Sequence, residues 1–501
     1  MKNRLFYARH LEDLPETGWR RVAPEPVSAP AMLLFNRELA ADFDLPRDWQ
    51  SGPLAVDRWS GNALPDTIEP TALAYAGHQF GQPVPQLGDG RALLLGQLRH
   101  RDGRLRDVQL KGSGRTPFSR MGDGRAGIGP VLREFLVSEA MAALGIPTTR
   151  ALAALATGDT IQRQFGPEPG AILVRVASSH LRFGSFEYFA HRGDREGLQR
   201  LADAAVAWHY PDLLSHDPRE RCLALLERVM EQTASLVSEW MRVGFIHGVM
   251  NTDNMTLSGE TLDYGPCAFM DEFRAGQVLS SVDRGGRYAF DQQPYMAQWN
   301  LTRLAECLLP LLDEDTDTAV DRAEGLLTRF PDCFRQFHHP MLAAKIGLPP
   351  TPRVEEDAAL TERLLGLMEQ AGADFTNTFR ELGRAAPTEA AGQQRLVAIL
   401  GDRPDTRTWL KAYARRCEGD DGGPGVAESD RRARMAETNP VHIPRNHLVE
   451  AALVAAEGGD LRPAEDLLKV VRSPYTANGL PAIYRQPPEP EERVHATFCG
   501  T

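Results

Sequence analysis

Hydrophobic and polar positions change rhythm three times along this chain. Through the first 85 residues, Pro-containing loops alternate with short amphipathic pieces such as AMLLFNRELAADFDL around Leu33–Leu45. From Gly88 to about Val176 the apolar residues alternate or run in short blocks, which is the habit of strands. RALLLGQL (Arg91–Leu98) and RDVQLKG (Arg106–Gly112) flank the turn His100-Arg101-Asp102-Gly103 and predict a hairpin. VLREFLVSEAMAALG (Val131–Gly145) carries apolar residues at helical spacing, with Gly145 and Pro147 as stop signals. ILVRVAS (Ile172–Ser178) returns to strand. After Gly193 the rhythm becomes helical, most clearly over Arg219–Val243, where Cys222, Leu225, Leu226, Val229, Met230, Leu236, Val237 and Trp240 mark one face. That helix runs into a Gly-punctuated loop, GFIHGVMNTDNMTL, and then LDYGPCAFMD. From Tyr295 the pattern stays mainly helical, broken at EGDDGGPG (Glu418–Gly425) by a surface loop.

A length of 501 residues suits about three domains, or one large two-lobed body with an appendage. With 42% apolar and 25% charged residues the chain can bury a sizeable core and is not mostly disordered. The net charge of −12 gives no overall electrostatic footprint for nucleic acid. No run approaches the ~18 apolar residues that cross a bilayer. MKNRLFYARHLEDLPETGW reaches acids early and has no apolar core, so no signal peptide is expected. Six cysteines without a C-x-x-C pair exclude a disulfide scaffold and suit a reducing, cytoplasmic setting. Cys499, in the tail PPEPEERVHATFCGT, is either an inert thiol or a redox-active one at a mobile end.

The pentapeptide GDGRA occurs twice, at Gly88–Ala92 and Gly122–Ala126. Two unrelated Asp-Gly turns explain this, or else both turns face one anion, with backbone N–H groups and Arg91 and Arg125 toward it. The first turn leads into a strand, and Lys111 ends the next one. Glu134 follows on a helix, with Glu139 as its competitor. His247 to Asn254 forms a loop after the long helix, and Asp263-Tyr264-Gly265 comes last. Glycine loop, strand lysine, helix glutamate, His-to-Asn loop and D-[FY]-G are the parts of a protein kinase in kinase order. Lys111 can neutralise phosphate, Glu134 can hold its ammonium, and Asn254 and Asp263 are hard oxygen donors suited to Mg²⁺.

The kinase loop puts its catalytic Asp two residues after the His, and here that position is Val249. Asp253 is the loop's only carboxylate. Either catalysis is lost, or Asp253 serves a differently placed substrate. Arg175 and Arg182 lie at and just after a strand expected to line the cleft. They are a surface pair, or they join Arg91, Lys111 and Arg125 in a basic phosphate cradle. A cradle that held the β- and γ-phosphates would leave the α-phosphorus outward, so attack there transfers AMP and expels pyrophosphate.

KGSGRTPFSRMGDGRA, REFLVSEAMAALGIPTTRAL, RVASSHLRFGSFE, HGVMNTDNM, LDYGP and NPVHIPRNHLVE together resemble the selenoprotein O family, protein adenylyltransferases with a pseudokinase fold. The resemblance runs from about Pro70 to Cys499. It implies an α+β, protein-kinase-like two-lobed fold. Residues 1–85 are an N-terminal extension, 86–178 a β-rich N-lobe, 179–345 a helical C-lobe, and 346–501 a C-terminal helical region with the cysteine tail. It further implies ATP bound in a flipped orientation and AMP passed to protein Ser, Thr or Tyr hydroxyls. By motif, Gly88, Gly90, Arg91, Lys111, Asp123, Gly124, Arg175, Arg182 and Asp263 contact the nucleotide. Asp253 accepts the proton, Asn254 and Asp263 bind Mg²⁺ (or Mn²⁺), and Glu134 orients the lysine. The resemblance also implies that the terminal residue, selenocysteine in some members and cysteine in others, pairs in some of them with a cysteine after D-Y-G. The aligned position here is Leu279, and Cys267 is the nearby alternative for a Cys267–Cys499 bond that gates activity. Protein substrates, redox or metabolic enzymes among them, are the expected partners of a monomeric chain that binds neither nucleic acid nor membrane. An inactive nucleotide-binding pseudokinase and a protein kinase are the alternatives.

Overall fold

The computed structural model describes residues 5–164, 166–350, 353–386, 389–419, 425–476 and 479–498. Its architecture is mixed α/β. The strands before residue 180 are β1 (Trp19–Arg21), β2 (Ala31–Phe35), β3 (Thr71–Leu73), β4 (Gly77–Gln79), β5 (Gln82–Val84), β6 (Ala92–Arg99), β7 (Leu105–Lys111), β8 (Ala126–Gly127), β9 (Arg150–Arg163) and β10 (Gly166–Ala177). Eight of them form one sheet in the order β1-β3-β6-β7-β10-β9-β2, with β8 on β10, while β4 and β5 make a separate hairpin. The expected hairpin around His100–Gly103 is β6–β7, antiparallel, with Ala92 opposite Lys111. Residues before position 85 contribute β1, β2 and β3 to this sheet.

Side-chain alternation in the sheet sets up the site. On β7 and β10, Val108, Leu110, Ile172, Val174 and Val176 point into one apolar cluster with Trp49 and Trp59. Gln109, Lys111, Leu173 and Arg175 therefore point to the other face, because successive strand residues alternate. Register brings Gln109 opposite Arg175 and Lys111 opposite Leu173. Across that second face lies helix α1 (Ile128–Ala143), whose Phe135 and Leu136 share a cluster with Leu173.

The long amphipathic stretch is helix α2 (Pro218–Arg242). It packs in a large cluster with the helix Gln293–Leu312, through Leu226, Val229, Leu301 and Leu304 among others. Among the described residues no helix is long and apolar enough to cross a membrane. The segment NPVHIPRNHLVE acts as a clamp. Arg445 bonds Asp271 and Asp374 at 2.6 Å each. Asn446 brackets the backbone of Phe269, accepting its N–H at 3.1 Å and donating to its carbonyl at 2.7 Å. The helices that follow, Asn446–Glu457 and Arg462–Val471, lay Val449, Leu453, Leu467 and Leu468 on α1. Near the end of the described chain, Thr497 is fully buried. Its hydroxyl donates to the Pro266 carbonyl at 2.6 Å and its N–H to Leu279 O at 2.7 Å, while its carbonyl accepts from Ser281 N–H at 2.9 Å. The tail is thus stitched to the stretch that follows Asp263-Tyr264-Gly265.

Candidate active site

One cleft of about 1170 Å³ gathers nearly all the residues singled out in the sequence. Both GDGRA turns line it, with Lys111, Glu134, Arg175, Arg182, Val249, Asp253, Asn254 and Asp263. Seven Lys or Arg line it against five Asp or Glu, a local excess of positive charge in a chain whose net charge is −12. The arrangement is that of a basic pocket for an anion.

Its centre is a compact charge network. Lys111 Nζ lies 2.6 Å from Glu134 Oε2 and 2.7 Å from Asp263 Oδ1. Arg175 Nη1 lies 2.6 Å from Asp263 Oδ1 and 3.1 Å from Glu134 Oε1. Arg182 Nη1 donates to Asp263 Oδ2 and to the Asp253 carbonyl, both at 2.6 Å. Arg175 and Arg182 are each only 2% exposed, so they are not a surface pair. Burial alone would raise the pKa of Asp263, but Lys111, Arg175 and Arg182 hold its carboxyl well below the usual carboxylate range. Burial likewise disfavours the charge on Arg182, yet Tyr75, Asp263 and Asp89 more than offset it and raise its pKa. Glu139 takes no part: it pairs with Arg150 at 2.8 Å and with Arg472.

Asp263 has φ +62°, a left-handed conformation that Asp and Asn tolerate better than other non-glycine residues. His247 holds this segment to the preceding loop. It is buried, its Nε2 bonds the Leu262 carbonyl at 3.0 Å, and its N–H donates to Gln293 Oε1 at 3.0 Å. Burial lowers its pKa and keeps it neutral. Val249, standing where a kinase has its base, offers its carbonyl to Asn254 Nδ2 at 2.9 Å and so orients that amide.

Asp253 occupies a tight niche and is 8% exposed. Its Oδ1 is buried without a hydrogen-bond partner, and burial pushes its carboxyl up to about 6 against the opposing pull of Arg182. The β4–β5 hairpin closes the niche. A Cβ on Gly77 would sit 2.7 Å from Asp253 Oδ1, His78 N–H donates to Thr252 Oγ1 at 2.7 Å, and Gln79 Nε2 reaches Asp253 Oδ2 at 3.4 Å.

The two GDGRA turns share the cleft but differ inside. In the first, Asp89 turns inward, 2% exposed, and accepts from Leu73 N–H at 3.1 Å and Gln109 Nε2 at 2.9 Å. In the second, Asp123 pairs at 2.8 Å with Arg163. Gly124 is required by space and conformation alike: its φ is +70° and a Cβ would overlap the Gly114 carbonyl oxygen at 2.0 Å. Arg125 pairs with Glu25 at 3.2 Å.

Sequence reasoning missed three residues of this site. Gln109 accepts from Arg175 Nε at 2.7 Å and passes the contact on to Asp89. Tyr75 lies under Arg182, 4.7 Å from guanidinium to ring centre. Gln79 reaches Asp253. Lys111 signalled β7, and strand alternation marks Gln109 as its neighbour on the same face, so that one was readable. Tyr75 and Gln79 carried no signal in the local pattern.

Among the described residues no group of three or more His, Cys, Asp or Glu is placed to hold a metal. Asn254, its amide fixed by Val249, and Asp263 are two oxygen donors that line the cleft. Such a pair fits a Mg²⁺ ion that takes its other ligands from phosphates and water. Cys267 is 1% exposed within the main apolar cluster, and Cys499 lies outside the described residues.

Known proteins resemble the chain along nearly its whole length. The family described as "Protein adenylyltransferase SelO" matches residues 2–472. The chain is 52% identical over 493 residues to "Protein nucleotidyltransferase YdiU" of Rhodopseudomonas palustris (strain BisB5), covering 97% of each chain. Proteins of the same description from Methylorubrum populi, 52% identical over 494 residues and covering 97% of each chain, and from Bradyrhizobium diazoefficiens, 50% identical over 489 residues and covering 97% of each, are similar along their length. A match spanning nearly the whole chain places it, as a nucleotidyltransferase acting on proteins, in the SelO family of protein adenylyltransferases.

Proposed function

We propose that the chain transfers AMP from ATP to Ser, Thr or Tyr hydroxyls of other proteins, with ATP reversed relative to an ordinary kinase. The β-sheet region with α1 serves as an N-lobe and the helices from residue 179 to 345 as a C-lobe, so the cleft is a pseudokinase cleft between them. The observation that carries the reading is the convergence of Lys111, Arg175 and Arg182 on Asp263. Two buried guanidiniums beside the strand lysine can grip a polyphosphate tail, because Arg forks match phosphate oxygens. Gly88, Gly90 and Arg91 on one turn, with Asp123 and Gly124 on the other, flank the same phosphates and nucleoside.

With the tail held there, the α-phosphorus faces Asp253. The Asp253 carboxylate accepts the proton of the incoming hydroxyl, the oxygen attacks the α-phosphorus, and pyrophosphate leaves with its charge on the three cations. Glu134 keeps the Lys111 ammonium in position. Asn254 and Asp263 would hold Mg²⁺ or Mn²⁺, which supplies charge neutralisation at the phosphates. In this reading the chain works as a cytoplasmic monomer. Cys267 and Cys499 enter as a redox pair, and non-reducing mass spectrometry of oxidised protein that never finds their crosslink removes that part.

The deciding experiment uses two labels. Incubation with α-³²P-ATP is expected to label protein, and incubation with γ-³²P-ATP is expected not to. Label only from the γ-position would make the chain a kinase, and label from neither would make the cleft a nucleotide-binding module.

A further inference from the structure

The β4–β5 hairpin holds a residue whose conformation costs the fold something. Phe80 has φ +52° and Gly81 φ +80°, so the pair forms a two-residue turn with both central residues left-handed. Such turns favour Asn-Gly or Asp-Gly, and a bulky aromatic at the first position is strained. The ring gains little burial in return, being 40% exposed. The conformation is imposed by the catalytic loop: Phe80 N–H donates to Asn251 Oδ1 at 3.0 Å, and the same oxygen accepts from the Tyr288 hydroxyl at 2.6 Å. The rings of Phe80 and Tyr288 lie 5.4 Å apart, which fixes Phe80 without covering it. Phe80 lines the cleft, as does Val282, itself 46% exposed. The residue before it, Gln79, reaches Asp253. Strain kept at an exposed position beside a site points to use of the side chain there, and aromatic side chains, Phe among them, are enriched where protein partners bind.

We propose that Phe80, with Val282, is an acceptor-docking contact that receives an apolar side chain flanking the hydroxyl of the protein substrate. The inference rests on the reading that places the acceptor at Asp253. Its occupant is the substrate polypeptide, because a protein nucleotidyltransferase must admit one at the mouth of its cleft. Phe80 makes no contact with the nucleotide in this reading; it sets which sequences reach Asp253.

The test measures binding and needs no turnover. Fluorescein-labelled nonapeptides with a central Ser, Thr or Tyr, flanked on both sides by Leu or by Gly, are titrated into the full chain and followed by anisotropy. The Leu-flanked peptides are expected to bind about tenfold tighter, the worth of part of a buried leucine side chain. Phe80→Asn should erase the preference, Phe80→Leu should keep most of it, and Val282→Ser should weaken it. Asn suits the left-handed turn, so Phe80→Asn is expected to melt no lower than wild type, and its loss of preference is then not misfolding. Equal affinities in wild type, or a preference that survives both Phe80→Asn and Val282→Ser, would overturn the proposal. So would sedimentation showing that the wild-type chain self-associates and Phe80→Asn does not, since the face would then belong to a second copy. Transfer from α-³²P-ATP is scored separately on the same peptides. A Leu preference in binding without transfer supports the docking contact and defeats the reaction; transfer without preference does the reverse.

Discussion

Asp253→Ala is expected to slow transfer of label from α-³²P-ATP to protein by about 10²–10⁴-fold, the usual worth of a positioned general base. ATP affinity should stay close to wild type, because no nucleotide contact is assigned to this carboxylate. Stability should not fall. Asp253 Oδ1 is buried and unpartnered, and an orphaned buried acceptor costs about 1–3 kcal/mol, so removing it relieves the fold while it disables the site. That combination, an inactive enzyme that melts at the wild-type temperature or above and still binds ATP, separates a chemical role from a structural one. Wild-type rates in Asp253→Ala would end its assignment as proton acceptor.

Asp263 should respond in the opposite manner, through stability and metal together. Its carboxylate is the shared counter-ion of Lys111, Arg175 and Arg182. Removing one partner of a buried charge cluster costs about 3–5 kcal/mol, and here three cations lose their common anion. Asp263→Asn and Asp263→Ala should therefore both lower the urea midpoint and abolish tight binding of Mg-ATP. They should also differ from each other. At φ +62° an alanine carries a penalty of about 1–2 kcal/mol, whereas asparagine accepts the conformation, so the Ala variant should be the less stable. Inorganic triphosphate should restore stability to the Asn variant more than to wild type, since it can replace the missing negative charge. Urea melts with and without triphosphate, and calorimetry with Mg-ATP, read all of this; two variants as stable as wild type would refute the counter-ion role.

The parts of this site that were legible in the sequence are those fixed by local geometry. Lys111 ends an alternating strand and Glu134 sits on a periodic helix, and the structure joins them at 2.6 Å. The hairpin around Asp102-Gly103 and the long helix over Arg219–Val243 were readable for the same reason: turn chemistry and periodicity act over a few residues. The sequence put Glu134 ahead of Glu139 without separating them, because both lie on α1, and the third dimension gives Glu139 to Arg150. Asp89 hid inside a motif whose glycines and arginine looked outward, since nothing local shows that its carboxylate is drawn in by Leu73 and Gln109. The strands β1 and β3 are three residues each, too short for a period of two to register, so the first 85 residues read as an extension of Pro-containing loops and short amphipathic pieces. The hairpin at Gly77–Val84 meets the loop at Asn251–Asp253 across more than 170 positions. No periodicity carries information over that separation.

The stitch made by Thr497 has a consequence in time. Its hydroxyl binds the carbonyl of Pro266, 231 positions earlier, so the two groups leave the ribosome far apart. At about 5–20 residues per second, elongation takes roughly 10–50 s to cover that distance. Throughout that wait a nascent chain already owns Lys111, Arg175, Arg182 and Asp263, while the stretch behind Gly265 still lacks its fastening.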